Sequence, residues 1–371
     1  YVDPKFKMPQ VWRSNLNVDI QLPYDFMLSV GAMYTRDIYN VAQINMNEAE
    51  PTGVYNEQPD RIYWASKKYE YNDYTNGKNV VVKLSNGEDK GYQYSFNAIL
   101  TKKYDFGFTG SIGYTYTMAK DLTANPGSAP NSAWQNNVAV NSLNDPGVSY
   151  SLFSTPHRII ANASYEINYA KCLKTTFSLF YSGYHTGRYS YTYYNDMNGD
   201  GNYSDLIYVP NSQDEMTFVD ITDKSGAITY SAVDQAKDFW DFVNNDSYLK
   251  DRKGKYVERN GSLTPWINRF DFKIAQDFYA TLGGRKYGIQ VSLDMLNVGN
   301  MINSKWGAYQ SCGLKSYDNV QLLKTASKVG EPLTYQINAN SREAFKERSS
   351  WQYTNTIGSA WSMQLGVKVT F

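Results

Sequence analysis

Residues 106–117 read FGFTGSIGYTYT, and their alternation of apolar and polar side chains decides the fold class. In an extended chain the apolar side chains of this stretch share one face, and the polar ones share the other. They are Phe106, Phe108, Ile112, Tyr114 and Tyr116 on the first face, and Thr109, Ser111, Thr115 and Thr117 on the second. Successive side chains of a strand point to opposite faces, so this period of two predicts a β-strand.

The same alternation returns along the chain, and we predict about ten long strands. Further examples lie near residues 16–22, 26–34, 92–100, 159–167, 177–181, 270–278, 287–295 and 361–371. Strands of soluble proteins average about five or six residues, whereas a tilted strand needs about nine to eleven to cross a bilayer. The length therefore favours an all-β fold with a transmembrane antiparallel β-barrel over a soluble β-sandwich or propeller.

The connections between these strands come in two sizes. Turns of a few residues follow Leu22, Lys103, Tyr169 and Tyr279, and they alternate with long segments at about 48–90, 119–154, 190–266 and 300–358. This asymmetry is typical of bacterial outer-membrane barrels, whose short turns lie in the periplasm and whose long loops lie outside the cell. We therefore predict four extracellular loops and a C-terminal residue, Phe371, in the periplasm.

Small polar residues line the other face of the predicted strands. Ser111 and Thr115 of one strand and Ser292 of another are examples. The interior of a small closed barrel is filled by its own side chains. Small polar residues therefore favour a segment of a larger barrel, whose polar inner wall would include Asp19, Glu166, Asp271 and Asp294.

The composition argues against several other classes of protein. The 371 residues carry 36 basic and 36 acidic side chains, which gives no reason to expect a nucleic-acid partner. The mean hydropathy is −0.56, and no apolar run of about 20 residues could form a transmembrane helix. The chain has only two histidines, His157 and His185, which argues against a catalytic or zinc site built on histidine, so we expect no enzyme.

We expect Cys172 and Cys312 to be unpaired thiols, because the predicted topology puts them on opposite sides of a bilayer.

Several longer stretches carry a family resemblance. They are DPKFKMPQVWRSNLNVDIQLP (3–23), STPHRIIANASYEI (154–167), DMNGDGNYSDLIYVP (196–210), YLKDRKGKYVERNGSLTPWINRFDFKIAQDF (248–278) and VSLDMLNVGNMIN (291–303). Together they resemble the late barrel of the Oar-like TonB-dependent receptors of Bacteroidetes, which are related to the SusC-type nutrient transporters.

The resemblance implies a function and a set of partners. In that family a 22-stranded barrel encloses a plug, so residues 1–371 would be the C-terminal part of the barrel, and the plug and first strands would lie outside this sequence. The implied activity is TonB-dependent import of a peptide, glycan or chelate across the outer membrane. Outer-membrane lipid and TonB would be partners, and a surface lipoprotein stays open as another. The alternative is a barrel that displays loops for adhesion or assembly without active transport.

An acidic loop within the third long segment resembles a calcium loop. Asp196, Asn198, Asp200 and Asn202 occupy alternate positions, and Gly201 permits a sharp turn, as in an EF-hand loop. Ile207 stands where the bidentate glutamate of that pattern would be, so Asp205, or a more distant acid such as Asp214, Glu215 or Asp220, is expected to complete the shell. We predict a structural Ca²⁺ that stiffens the loop, with an ion-free turn rich in Asn and Asp as the alternative.

Tyrosines just before the acidic loop are the candidate ligand-binding residues at the outer mouth. They are Tyr184, Tyr189, Tyr191, Tyr193 and Tyr194. Tyrosine offers a flat ring and a hydroxyl at a low entropic cost, which suits recognition of peptides or sugars. Packing or a membrane-interface position would explain many of these rings equally well. Residues 234–251 place their apolar side chains near helical spacing, which predicts a short amphipathic helix beside them.

Overall fold

The computed structural model describes residues 1–71, 80–203, 205–312, 315–316, 319–338, 345, 351–354 and 356–371. A ten-stranded antiparallel sheet forms the body of the molecule. Its long strands, in chain order, are β1 (Gln10–Leu22), β2 (Phe26–Tyr39), β3 (Tyr92–Lys103), β4 (Phe108–Asp121), β5 (His157–Tyr169), β6 (Leu173–His185), β7 (Trp266–Leu282), β8 (Arg285–Leu296) and β9 (Ser362–Thr370). The remaining strand, Ser149–Tyr150, pairs with β4. The all-β fold is therefore confirmed, with nine long strands where about ten were predicted.

Short turns join the long strands at one end of the sheet. They occupy residues 23–25, 104–107, 170–172 and 283–284, which confirms the four predicted short turns. The last of them is a two-residue turn in which Gly283 and Gly284 both have positive φ, 58° and 78°. Glycine tolerates this region without steric strain, and such turns match the twist of a hairpin.

The strand register divides the sheet into two chemically different faces. Each long strand pairs with the next along the chain, so β1 and β9 are the two edges. Directly paired residues share a face. One row across β5 to β9 consists of Tyr165, Phe177, Ile274, Leu293 and Leu365. We call the face that carries this row the apolar face.

The neighbouring row lies on the opposite face and is polar. It consists of Ser164, Ser178, Lys273, Asp294 and Gln364. We call this side of the sheet the polar face. A one-residue shift in pairing would exchange the two faces, so the hydrophobic pattern fixes the register.

The apolar face is open rather than packed against a second layer of the protein. Leu16 in β1 is 68% exposed and Leu365 in β9 is 73% exposed. The hydrophobic core clusters of the described residues contain no side chain from the nine long strands. Soluble monomers rarely expose a contiguous apolar surface of this extent. No helix in the described part of the chain is both long and apolar enough to cross a membrane.

The four long connections fold together at the other end of the sheet. We call the described residues within 40–91, 122–156, 186–265 and 297–361 the loop layer. Its largest sheet joins the third and fourth connections, because Arg188–Tyr193 pairs in parallel with Asn319–Thr325. The other short strands of the loop layer are Ala42–Asn45, Gly53–Val54, Ile62–Tyr63, Val82–Ser85, Tyr208–Val209, Thr217–Phe218, Ile221–Thr222, Ile228–Tyr230, Lys255–Tyr256, Ser262–Leu263, Gln310–Cys312, Lys315–Ser316, Thr334–Ile337 and Trp351–Tyr353.

The loop layer also contains the α-helices and the main hydrophobic core. The helices are α1 (Pro130–Gln135), α2 (Ala232–Asn245) and α3 (Gly299–Ile302). Ser231 caps α2, since its side chain accepts a hydrogen bond from the backbone nitrogen of Asp234. Phe239 and Phe242 of α2 are buried in a core that includes Leu322 of the fourth connection. The predicted amphipathic helix is thus confirmed, and it packs inside the loop layer.

Candidate functional site

The acidic loop, residues 196–203 together with Asp205, is held in a tight conformation by its own side chains. The Asp196 carboxylate accepts hydrogen bonds from the backbone nitrogens of Gly199, at 2.8 Å, and Gly201, at 2.9 Å. Asn198 Oδ1 accepts from the nitrogen of Asp200 at 3.0 Å. Asp200 Oδ1 accepts from the nitrogen of Asn202 at 2.7 Å. Side-chain oxygens at alternate positions therefore turn toward the inside of the loop.

This loop is buried inside the loop layer rather than projecting from it. Asn198, Asp200, Asn202 and Asp205 are all buried. The carbonyl oxygen of Asn198 accepts a hydrogen bond from the nitrogen of Trp64 at 2.7 Å, and the nitrogen of Leu206 donates to Ala139 at 2.9 Å. The loop belongs to the third connection, and these two hydrogen bonds join it to the first connection, through Trp64, and to the second, through Ala139.

Burial and mutual repulsion make the carboxyl groups of this loop poor acids. Burial raises the pKa of Asp205 to about 7, against the opposing effect of the Arg61 guanidinium and with a smaller contribution from the Asp196 carboxylate. Burial, followed by the charges of Asp205 and Asp196, raises the pKa of Asp200 well above its usual range. Burial also raises the pKa of Asp196. Protons or a cation would relieve this repulsion.

Arg61 is the buried cation beside the acidic loop. Its side chain is fully buried, and Nη1 lies 3.6 Å from Asp205 Oδ1. The guanidinium also donates to the carbonyl oxygens of Val140 and Leu206 and lies 4.7 Å from the ring centroid of Tyr256. Arg61 therefore ties three connections together. Sequence reasoning missed it, because the two carbonyl groups that it binds, those of Val140 and Leu206, are 79 and 145 residues away in the chain.

The donor atoms of the acidic loop are of the type that calcium prefers, since Ca²⁺ takes carboxylate, amide and backbone oxygens. Among the described residues, no group of three or more His, Cys, Asp or Glu side chains could hold a metal ion. A calcium shell would therefore also need amide oxygens, for which Asn198 and Asn202 are placed. Ile207 is a fully buried core residue and supplies no ligand. The calcium site stays a prediction.

The structure separates the five tyrosines that were predicted to bind ligand. Tyr189, Tyr191 and Tyr193 lie in the hydrophobic core. The Tyr191 hydroxyl donates to Asp246 Oδ2 at 2.7 Å, and the Tyr193 hydroxyl accepts from Gln58 at 2.9 Å. Their rings pack the loop layer, and a ligand would have to open this core to reach them.

Only two of these tyrosines have accessible rings. Tyr184 is half-buried near the end of β6, and Tyr194 is 48% exposed. For these two the ligand-binding role stays a prediction. The alternation of residues 189–193 indicates a strand. It does not show whether that strand is buried on both faces or exposed on one, because tyrosine is common in both settings.

The acidic residues predicted for the inner wall all lie on the polar face, and most of them are paired with cations. Lys174 Nζ lies 3.3 Å from Glu166, and Lys273 Nζ lies 2.7 Å from Asp294. Arg269 Nε lies 3.7 Å from Asp271 Oδ1. Asp19 accepts a hydrogen bond from the Ser29 hydroxyl. The polar face is therefore strongly hydrophilic but close to balanced in charge.

Cys172 and Cys312 are not joined by a disulfide. Cys172 is exposed in the turn between β5 and β6, and Cys312 is buried in the loop layer at the other end of the sheet.

Comparison of the chain with protein-family models, with curated proteins and with solved structures found no match.

Proposed function

We propose that this chain spans the bacterial outer membrane as part of a larger β-barrel and belongs to a TonB-dependent receptor that imports a nutrient ligand. The observation that carries the proposal is the apolar face, whose Phe, Leu, Val and Ile rows are exposed across the sheet instead of forming a core. Lipid is the environment in which such a surface is stable.

The height of the sheet fits this environment. A 13-residue strand such as β5 rises about 3.3 Å per residue, or about 43 Å in all. At a tilt of about 45° it would cover about 30 Å, the thickness of the hydrocarbon core of a bilayer. The nine long strands pair with their neighbours in sequence, so all but the outer groups of β1 and β9 have hydrogen-bond partners within the sheet.

The polar face would form the inner wall of the barrel. Its ion pairs offset part of its charge, which suits a path that a polar ligand crosses without being trapped by one strong site. The loop layer would receive the ligand at the cell surface, with Tyr184 and Tyr194 as the accessible tyrosines. TonB would supply the energy through a region outside residues 1–371. No chemistry on the ligand is proposed, and a surface lipoprotein remains an open partner.

We also propose that the acidic loop holds a structural Ca²⁺. Three carboxyl groups with raised pKa values, two of them buried, support this, because a divalent cation would stabilise their charged forms. The ion would be held by carboxylates from Asp196, Asp200 and Asp205 together with the amide oxygens of Asn198 and Asn202, since these carboxylates do not form a metal-binding group by themselves. The ion would brace the contact between the first three connections.

The alternative, a barrel that displays its loops for adhesion or assembly, is favoured by one observation. The loop layer has a hydrophobic core of its own, so it is a folded surface rather than a set of separate loops. A folded surface can bind a partner without any transport.

Growth experiments separate the two functions. A strain that lacks the protein should lose growth on one class of peptide, glycan or chelate as the limiting nutrient, and reintroduced protein should restore it. Depletion of TonB should abolish the restoration. Growth that never depends on the protein, together with a loss of surface adhesion, would contradict the import function and support the alternative.

A further inference from the structure

The segment that follows β8 forms a compact protrusion. We call residues 299–306, which begin with α3, the β8 protrusion. Its backbone closes on itself, because the nitrogen of Asn303 donates to Gly299 at 3.1 Å and that of Trp306 donates to Asn303 at 2.9 Å. The Asn300 side chain donates to the carbonyl oxygens of Ser304, at 2.7 Å, and Trp306, at 3.1 Å. These internal bonds fix the conformation of the protrusion.

The β8 protrusion presents apolar side chains to its surroundings. Met301 and Ile302 of α3 are 47% and 79% exposed, and Trp306 is 51% exposed. The nitrogen of Val298 donates to the carbonyl oxygen of Phe270 at 2.8 Å, which anchors the protrusion on β7. Phe270 pairs with Tyr181 in an apolar row of the sheet. The protrusion therefore continues the apolar face where the loop layer begins.

A cleft of about 440 Å³ lies between the β8 protrusion and the first residues of β7. Its aromatic walls are Trp266, Phe270, Trp306 and Tyr353. Lys305 supplies its charge, and Nζ lies 5.8 Å from the ring centroid of Tyr353. None of the described residues that line the cleft is acidic. The cleft thus combines apolar walls with an unopposed positive charge.

We propose that this cleft binds a membrane phospholipid of net negative charge, with the phosphate beside Lys305 and an acyl chain along Met301, Ile302 and Phe270. Trp side chains prefer the level of the head groups, and the lysine stem lies along apolar surface while its ammonium stays at the polar boundary. Because the cleft lies at the end of the apolar face, a lipid head group would lie beside the lysine ammonium and the tryptophan rings, and its acyl chain would lie along the apolar side chains. This inference rests on the proposed position of the apolar face in a membrane.

Lipid selectivity in the purified protein tests the proposal. Native mass spectrometry of the protein in detergent, with phosphatidylglycerol and phosphatidylcholine added in equal amounts, counts the lipids that stay bound. Lys305→Gln should lower the preference for phosphatidylglycerol about fivefold, the effect expected for one lysine near an anionic lipid. Lys224→Gln is the matched control, since Lys224 is an exposed lysine in the turn between Ile221–Thr222 and Ile228–Tyr230. It should leave the preference unchanged.

A second variant and a separate measurement make the outcomes distinct. Trp306→Ala should weaken retention of both lipids, and Trp306→Phe should keep most of it. Equal lipid preference in wild type and Lys305→Gln, or an equal loss in Lys224→Gln, would overturn the lipid site. Flotation with vesicles of the same two lipids tests the membrane position itself. Protein that fails to float would overturn both proposals, whereas protein that floats without lipid preference would overturn the lipid site alone.

Discussion

Leu365 and Gln364 are adjacent residues of β9 that offer a matched test of what the two faces of the sheet touch. Both side chains are exposed, and they point to opposite faces. Neither fills a core, so the direct loss of protein packing is small at both positions. An arginine at a water-exposed position usually changes stability by no more than about 0.5 kcal/mol. The difference between the two arginine variants therefore reports the solvent on each side.

The expected difference is large if the apolar face meets lipid. Leu365 is the fourth of the nine residues of β9, which places it near the middle of the strand. Arginine on the lipid face near the bilayer midplane destabilises a barrel by about 2–4 kcal/mol. Leu365→Arg should therefore lower the free energy of unfolding by about 2–4 kcal/mol, whereas Gln364→Arg should change it by less than about 0.5 kcal/mol.

Urea titration of the protein folded into phospholipid vesicles measures both values, with tryptophan fluorescence and gel mobility as independent readouts of folding. Coincident readouts would justify a two-state treatment. Equal, small effects of the two substitutions would refute the reasoning, because they would mean that water reaches Leu365 as freely as Gln364. A larger effect of Gln364→Arg would reverse the assignment of the faces.

Three further predictions concern the loop layer. Phe242→Ala should destabilise this layer by about 3–5 kcal/mol through the cavity it leaves, with hydrogen exchange in the long strands unchanged. With a chelator present, protease resistance of the loop layer should fall as the pH rises from about 4 to about 7. The pKa of Asp205 is higher in the folded protein than in the unfolded chain. This carboxyl group therefore contributes fully to stability below its pKa in the unfolded chain, and the contribution is lost as the pH rises through its pKa in the folded protein. About 10 mM Ca²⁺ should restore about 1.4–2.7 kcal/mol at an extracellular-type Kd of about 10⁻⁴–10⁻³ M. A maleimide should label Cys172 in the folded protein, and should label the buried Cys312 only after the loop layer unfolds.

Each of these three has its own control. Uniform loss of protection in strands and loop layer alike would contradict the separate core that Phe242 fills. Asp205→Asn should weaken the pH dependence to the part that Asp196 and Asp200 contribute, whereas Asp223→Asn, in an exposed turn of the same connection, should leave it unchanged. Protease resistance that ignores both pH and Ca²⁺ would contradict the cation site. Equal labelling rates for the two cysteines would contradict their different burial.

The sheet was predictable from sequence because its determinants are local. Alternation in residues 106–117 reflects neighbouring side chains on opposite faces of one strand, and turn residues such as Gly283 and Gly284 signal where a hairpin closes. The rows through Phe177 and Leu293 follow once each strand is paired with its neighbour in the chain. Nearest-neighbour pairing therefore made both faces of the sheet accessible to sequence reasoning.

The loop layer was not predictable in the same way, because long-range contacts create it. The parallel pairing of Arg188–Tyr193 with Asn319–Thr325 joins segments more than 120 residues apart. Arg61 meets Asp205 through a similarly long separation. No local sequence pattern predicts such distant partners. Tyr189, Tyr191 and Tyr193, which fill the core of the loop layer, were therefore predicted to bind ligand. The spacing of the acidic loop was visible in the sequence, but its burial was not.

Site-directed spin labelling along β9 tests the central claim most directly. Single cysteines at residues 363–369, in protein without Cys172 and Cys312, would carry a nitroxide, and its collisions with oxygen and with a water-soluble nickel complex would be compared in vesicles. The account predicts a two-residue oscillation, with oxygen favoured at Met363, Leu365, Val367 and Val369 and nickel favoured at Gln364, Gly366 and Lys368. Strong nickel accessibility at all seven positions, with no oscillation, would contradict a sheet whose apolar face lies against lipid.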